Sequence, residues 1–333
     1  MFYNPAMAGD RDLGVALAKA LPSLEGRARN GWEMTAATGV RGLRLLVESN
    51  AFDRFLFTEA NPEAFRVLQR NCARFPGATA VQGDARSPPD GAPFDYVDLD
   101  PYGTPLPFLS TALAAVAVGG VLAVTATDMM VLAGAQPSAC RDRYGARPVR
   151  GRLGPEGGLR ILLATISRAA ERSGRSIRPL LAYSRDHHVR AYVGVEDRSD
   201  APVPVGEIDP GTWTGPRVGD RGPFGPLWLG PLFDPVLVAR LRLPDRPARP
   251  SEVGRFLERV QEEVLVDRPF YFEANVLASQ LGLRAPPALD RLFAGLTARG
   301  FRVARTHARP EGFRTDAPRT EVEQVARQLS GAE

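Results

Sequence analysis

Glu33-Met-Thr-Ala-Ala-Thr-Gly39-Val-Arg41-Gly42 sits between a short apolar run and a stretch with helical spacing. Residues 31–37 read as a strand, the glycines as a tight turn, and residues 41–49 as a helix. A strand, a glycine turn and a helix in that order form the first unit of a doubly wound α/β sheet. Glycine at the turn lets a nucleotide-like ligand approach the backbone. Glu33 and Gly39 are therefore candidate ligand-binding residues. The pattern is a degenerate form of the usual glycine fingerprint, and it gains weight from Glu59, 20 residues beyond Gly39 at the end of the next strand. An acid at that offset is placed to hold ribose hydroxyls. Glu59 equally suits the start of the helix that opens at Asn61-Pro62, where Asn caps and Pro takes the first turn.

Working outward, strands are expected at 52–58, 78–82, 94–99 and 121–126, with helices between them. Phe65, Leu68 and Cys72 keep helical spacing in the second helix. Residues 109–127 carry no charge, but they are rich in Ala, Gly and Thr and are broken by Gly119-Gly120, so a buried helix, a turn and a strand fit better than a membrane span. A helix over 155–172 and a hairpin from 178–183 and 189–195 complete seven strands. Residues 198–226 are rich in Pro, Gly and Asp and read as irregular connection. Helices at 251–265, 275–281 and 287–299 and a strand from 301 suggest a winged-helix-like module. These patterns divide the chain into a catalytic domain over 1–200, a linker over 201–222 and a C-terminal domain over 223–333.

The chain has 333 residues and a formal net charge of +4, and all but one of its 42 basic residues are arginine. Arginine grips phosphate through paired hydrogen bonds, which suits a nucleic-acid partner. A GC-rich genome produces the same excess, so charge alone does not identify RNA. Cys72 and Cys140 make no disulfide framework and no zinc-type pair, and the three histidines show no metal-ligand spacing, so no metal is expected. Asp10, Arg11 and Asp12 precede the first apolar stretch, unlike a secretory signal, and a cytoplasmic location follows as the expectation.

Asp98-Leu-Asp100-Pro-Tyr102-Gly103 ends the fourth strand. Methyl transfer to an exocyclic amine needs an acceptor beside the nitrogen, to orient its lone pair and relieve positive charge as the bond forms. An Asp fixed by the following Pro supplies one, and an aromatic two residues on can stack on an extruded base. Asp98 and Asp100 point to the same side of a strand; Asp100 is assigned to substrate and Asp98 to structure. Asp84 ends the third strand, where it can accept from an adenine amine or close a turn.

The chain resembles the tRNA (guanine-N2-)-dimethyltransferase family, and its archaeal members in particular, over nearly its whole length. The resemblance rests on Phe2-Tyr-Asn-Pro5, Arg11-Asp12, Ala37-Thr-Gly-Val-Arg-Gly-Leu-Arg44, Asp98-Leu-Asp-Pro-Tyr-Gly-Thr-Pro105 and Thr125-Ala-Thr-Asp128. It continues through Tyr144-Gly-Ala-Arg-Pro-Val-Arg150, Asp186-His-His, Gly225-Pro-Leu-Trp-Leu-Gly-Pro231 and Arg305-Thr-His307. It implies a class I S-adenosylmethionine-dependent methyltransferase fold, Rossmann-like and doubly wound, with a smaller α+β C-terminal domain. The implied reaction is methylation of the N2 amine of guanosine 26 in tRNA, giving N2-methyl- and N2,N2-dimethylguanosine. Arg11, Arg41, Glu59, Asp84 and Ala85 would contact S-adenosylmethionine, Asp100 would face the amine, and Phe2 and Tyr102 would sandwich the base. Glu59 and Tyr102 stand where the family often has Asp and Phe. Residues 200–224 lack the cysteines of a zinc element found in many members, and Gly154-Pro155-Glu156 replaces a Cys-His pair.

Two other readings stay open at this point: an amino-methyltransferase for adenine or cytosine, and a non-catalytic RNA-binding module. The arginines from 299 to 314 suggest an RNA-binding face in which Arg305, His307, Arg309 and Arg314 meet phosphate. tRNA is the expected partner, with no membrane and no protein partner implied. His187 and His188 read as structural or RNA-facing, and Trp228 as a core anchor. Asp128, at the end of the fifth strand, suits the cleft and the core equally.

Overall fold

The computed structural model describes residues 3–22, 29–198, 200, 202–219, 221–266 and 268–331. Its first long element, α1 (Ala8–Ala20), is absent from the sequence reading. Asp10, Arg11 and Asp12 are buried in its first turn, so they obscure the apolar pattern that normally marks a helix. Then β1 (Asn30–Glu33), α2 (Val40–Glu48), β2 (Arg54–Glu59), α3 (Pro62–Cys72), β3 (Ala78–Gln82), β4 (Phe94–Leu99), α4 (Leu106–Ala115) and β5 (Val116–Ala126) alternate as expected. Asn61 caps α3 by accepting from the amides of Glu63 and Ala64. β1 ends before the predicted residue 37, because the chain turns away and Ala37 takes a φ of 49°. β5 starts earlier than predicted, with Gly119-Gly120 inside it and a register shift against β4.

After β5 come α5 (Met129–Leu132), α6 (Pro137–Tyr144), α7 (Gly154–Arg172) and the hairpin β6 (Arg175–Arg185) and β7 (His188–Asp197). The seven strands lie in the order β3-β2-β1-β4-β5-β7-β6. β1 to β5 pair in parallel, and β7 runs antiparallel to both neighbours. This is the doubly wound sheet of a class I methyltransferase. Strand order reverses between β1 and β4, and such a switch point opens a crevice at the carboxyl ends of the two strands.

The predicted linker and the boundary at 223 are not where the packing divides. The chain from 205 to 228 builds a two-stranded ribbon, β8 (Val205–Ile208) and β9 (Phe224–Trp228), followed by α8 (Pro235–Arg240) and α9 (Pro250–Glu263). Ile208, Phe224, Trp228, Leu237, Val253 and Leu257 share one apolar core with the sheet. Trp228 anchors it, with its indole N–H donated to the Pro231 carbonyl at 2.8 Å. A second core begins only at Phe272. It is built from β10 (Phe272–Glu273), α10 (Ala274–Leu281), α11 (Leu289–Ala298), β11 (Val303–Arg305), β12 (Gly312–Thr315) and α12 (Arg319–Gly331). The three strands pair antiparallel in the order β10-β12-β11.

A buried charge cluster joins the two cores. Arg314 on β12 donates to Glu156 on α7 at 2.9 Å and also to Glu263 at the end of α9. Glu156 accepts from Arg160 at 2.7 Å and from the Phe270 amide at 2.8 Å. Glu263 accepts from the Thr306 hydroxyl and the His307 amide, both at 2.8 Å, and its Oε2 lies 2.6 Å from His307 Nδ1. The assignment of His307 and Arg314 to phosphate is corrected here, because each side chain is only 3% exposed and bound to carboxylate. β11 stops at Arg305, so the alternation that would align Arg305, His307 and Arg309 is not continued. Arg305 is half-buried and paired with Asp290, whereas Arg309 is exposed.

Candidate active site

The crevice between β1 and β4 gathers charge from four elements. Glu33 ends β1 and is buried, and its Oε2 accepts from the Gly42 amide at 2.9 Å. Arg41, in the first turn of α2, donates to Asp100 Oδ2 at 2.6 Å and lies 4.0 Å from Asp98 Oδ1. Asp98 is buried on β4 and accepts from Tyr96 at 2.8 Å and from Arg190 at 2.6 Å. Arg190 comes from β7, where it also donates to Thr125 and packs over the Tyr192 ring. Sequence reasoning missed Arg190. Its signal is a lone arginine between Val189 and Ala191 in an apolar strand, a place where an unpaired charge would not survive.

Burial pushes the Glu33 carboxyl up to about 8, and neighbouring Asp98 adds to the shift. Burial acts the same way on Asp100, but Arg41 and Arg190 outweigh it and hold that carboxyl below the usual carboxylate range. For Arg41, burial and Arg190 oppose the charge, whereas Asp100 and Asp98 more than restore it, leaving its pKa above the ordinary arginine value. Asp100 keeps a quarter of its side-chain surface exposed, and Tyr102, two residues on, is 90% exposed. The loop carrying both is pinned by the Gly103 amide on Thr127 Oγ1 at 2.7 Å. Phe2, the other expected base-stacking residue, lies outside the described residues.

Beside this cluster a cleft of about 640 Å³ is lined by Met34, Thr35, Glu59, Asp84, Ala85 and Phe108, among others. Glu59 accepts from the Ala37 amide at 2.7 Å and the Asn61 amide at 2.8 Å, so it fixes the turn after β1 and caps the chain into α3. Both readings of Glu59 are thus physically met: it closes the helix start and it lines the cleft. Gly39 takes a φ of 73°, and a Cβ there would come within 2.6 Å of Leu68, so only glycine brings the turn this close to α3. Asp84 is exposed and both its oxygens bind Arg86, which holds the carboxyl down to about 2. Arg86 would have to yield for Asp84 to take an adenine amine.

Arg11 on α1 donates to the Asn4 carbonyl at 2.8 Å and stacks over Tyr3, which closes the N-terminal side of the same region. Burial and Arg41 lower its pKa. Asp10 beside it binds Tyr183 and His188, so His188 is structural, whereas His187 is exposed at the β6–β7 turn. Asp128 accepts from the Tyr144 hydroxyl at 2.9 Å on both oxygens, and the same hydroxyl lies 2.8 Å from Thr104 in the Asp100 loop. Among the described residues no group of His, Cys, Asp and Glu is placed to hold a metal ion, and no helix is long and apolar enough to cross a membrane.

Five buried polar atoms here lack a hydrogen-bond partner among the described residues: Thr35 Oγ1, Arg41 Nη1, Asp98 Oδ1, Arg190 Nε and the Tyr192 hydroxyl. Unfilled donors and acceptors at one crevice are an uncommon cost, and they fit a ligand bearing both an ammonium and a carboxylate. The amino-acid end of S-adenosylmethionine is such a group, and Glu59 in the adjoining cleft is an acid of the kind that ribose hydroxyls need. The residues present therefore fit that cofactor.

A model of the N2,N2-dimethylguanosine tRNA methyltransferase family matches residues 1–203 and 219–327. The tRNA (guanine(26)-N(2))-dimethyltransferase of Thermococcus kodakarensis is 35% identical, over 99% of this chain and 93% of that protein. The enzyme of the same name from Pyrobaculum calidifontis is 32% identical, over 99% and 92%. Among solved structures, Trm1 from Pyrococcus horikoshii in complex with S-adenosyl-L-methionine superposes with a TM-score of 0.85 at 29% identity, covering 97% of this chain and 94% of that one. The chain belongs to the N2,N2-dimethylguanosine tRNA methyltransferase family.

Proposed function

We propose that this protein methylates the exocyclic N2 amine of guanosine 26 in tRNA, forming N2-methyl- and N2,N2-dimethylguanosine. S-adenosylmethionine supplies a methyl group activated by its sulfonium. Glu59 holds the ribose, Asp84 and Ala85 border the adenine, and Glu33, Arg41 and Arg11 face the amino-acid end. Gly39 lets the turn close over it.

The observation that carries the reading is Asp100, kept ionised by Arg41 at the switch point with exposed Tyr102 beside it. An ionised carboxylate is a strong, charge-assisted hydrogen-bond acceptor. Asp100 would accept from one N2–H, aim the nitrogen lone pair at the methyl group and stabilise the positive charge that develops. As the N–CH3 bond forms the S–CH3 bond breaks, the donor sulfur leaves as a neutral thioether, and the acidic aminium gives its proton to Asp100 or to water. Tyr102 would stack on the extruded guanine, with Phe2 on the opposite face. In this structure Asp100 is taken up by Arg41, so donor binding that draws on Arg41 would free Asp100 for the amine.

The C-terminal module, a winged-helix-like unit on this reading, would hold tRNA, with Arg305 and Arg309 near phosphate. No metal is needed, and the protein would work in the cytoplasm without a protein partner. Incubation with an unmodified tRNA transcript and S-adenosylmethionine, followed by digestion to nucleosides, should yield N2-methylated guanosine that disappears when position 26 is changed to adenosine. Methylated adenine or cytosine instead would favour the other amino-methyltransferase reading. Failure to bind the donor would favour a non-catalytic module.

A further inference from the structure

The segments Tyr144–Arg150 and Gly225–Pro231 carry no role in the chemistry above, yet the structure joins them. Arg147 and Gly225 exchange backbone hydrogen bonds at 2.7 and 2.9 Å, and the Arg147 guanidinium lies over the Phe224 ring at 5.2 Å. They form one wall of a groove of about 1540 Å³, lined by Arg141, Arg147, Arg150, Arg221, Val218 and Phe224 among others. Among the described residues no acidic side chain lines it. Arg141, Arg150 and Arg221 are exposed and form no ion pair with any described residue. Some exposed arginines elsewhere are neutralised, Arg86 by Asp84, Arg178 by Glu196 and Arg302 by Asp316. Arg54, Arg66, Arg70 and Arg74 are exposed and form no ion pair with a described residue, so the distinguishing feature here is convergence on one concave surface. A compositional excess of arginine does not account for three uncompensated ones converging on one groove.

The groove is tied to the acceptor loop through α6. Arg141 stands one turn before Tyr144 on α6, and Tyr144 is tied to Asp128 and to Thr104 of the Asp100 loop. Arg150 also lines a second concavity of about 700 Å³, which reaches Tyr271 and Arg319 of the C-terminal part.

We propose that this groove carries the phosphodiester backbone of the RNA substrate, with Arg141, Arg150 and Arg221 as its phosphate contacts. The strand then runs from the target base at Tyr102 toward the C-terminal module. The proposal rests on the reading that RNA is the substrate, and it places the main electrostatic grip on the catalytic domain rather than on the β11–β12 ribbon. Each phosphate contact releases counterions and steepens the salt dependence of binding.

Equilibrium binding of an unmodified tRNA transcript over a range of salt concentrations tests it, using the full chain and the triple variant Arg141→Ala, Arg150→Ala, Arg221→Ala. The triple variant should bind roughly tenfold more weakly or worse, and its log–log salt slope should flatten by about 2–3. The corresponding triple lysine variant keeps the charge and should keep the parent's slope. Donor affinity should be unchanged in both. If the triple alanine variant loses donor binding through misfolding, Arg141→Ala alone carries the test, with a slope change of about 1. Parental tRNA affinity and slope in the alanine variants would overturn the groove. Binding is read without turnover, so a protein that binds through the groove but methylates another base contradicts the proposed reaction and leaves the groove standing.

Discussion

Arg41 and Arg314 are both arginines drawn out of water between two carboxylates, and they end in opposite situations. Around Arg314 every bond is made: Glu156 and Glu263 are filled by arginine, histidine, hydroxyl and backbone donors, and no atom of that cluster is among the buried polar groups without a partner. Around Arg41, five buried polar atoms are left open, and Asp100 reaches a surface that also exposes Tyr102. A closed cluster fixes one part of a chain to another, because breaking it strands a charge. An open cluster at a strand-order reversal is a binding site whose remaining partners come from outside. The same residue types thus do structural work in one place and chemistry in the other.

That contrast can be broken first at the closed cluster. Arg314→Ala should lower the unfolding free energy by about 3–5 kcal/mol, the cost of leaving buried carboxylates without their cation. Burial disfavours the charge on Glu263, but His307 and Arg314 overcome it and hold its carboxyl well below the ordinary range. Its contribution is therefore present at neutral pH and lost as pH falls through that lowered value. Chemical denaturation at neutral pH reads the mutational loss, and parental stability would refute the latch.

A smaller effect is expected at Glu59, which serves both the turn and the cleft. Glu59→Ala should weaken S-adenosylmethionine binding by about 1.5–3 kcal/mol, the range for hydrogen bonds to a charged group. Calorimetry decides, and an unchanged donor affinity would reduce Glu59 to its backbone-capping role.

The smallest signal is a proton at Glu33. Its carboxyl is raised from 4.5 to about 8, so ionising it costs stability that is present at acid pH and lost as pH rises through 8. A donor ammonium nearby favours the ionised form, so donor binding at neutral pH should release a fraction of a proton, and affinity should climb with pH until about 8. Calorimetry in buffers of different ionisation enthalpy measures the release. Glu33→Gln should abolish it; persistence of the full release would assign the proton elsewhere.

Most of the sheet and its switch-point acids were legible, because strand and helix periods, the Asn61 cap and the Asp98–Gly103 segment are local signals. Three things were not. α1 is hidden by buried charges in its own first turn. The residues after 198 look like a linker by composition, yet Phe224, Trp228 and Leu257 close the catalytic core, and only long-range packing reveals it. The basic residues near 305 seemed to form one face; burial divides them, since His307 and Arg314 are consumed by Glu263 and Glu156. A formal charge in the sequence does not tell whether a partner more than forty residues away neutralises it.

The most direct test of the open cluster is the single-turnover rate of methyl transfer to tRNA, at saturating donor and tRNA, for Asp100→Asn. Asparagine keeps the side-chain size and can still accept from Arg41, so folding and donor affinity should stay near the parent's. The rate should fall by about 10²–10⁴, the usual worth of a positioned acceptor at the reacting atom. A variant that transfers methyl groups to guanosine at close to the parental rate would contradict the assignment of Asp100, and with it the claim that this crevice is where the reaction occurs.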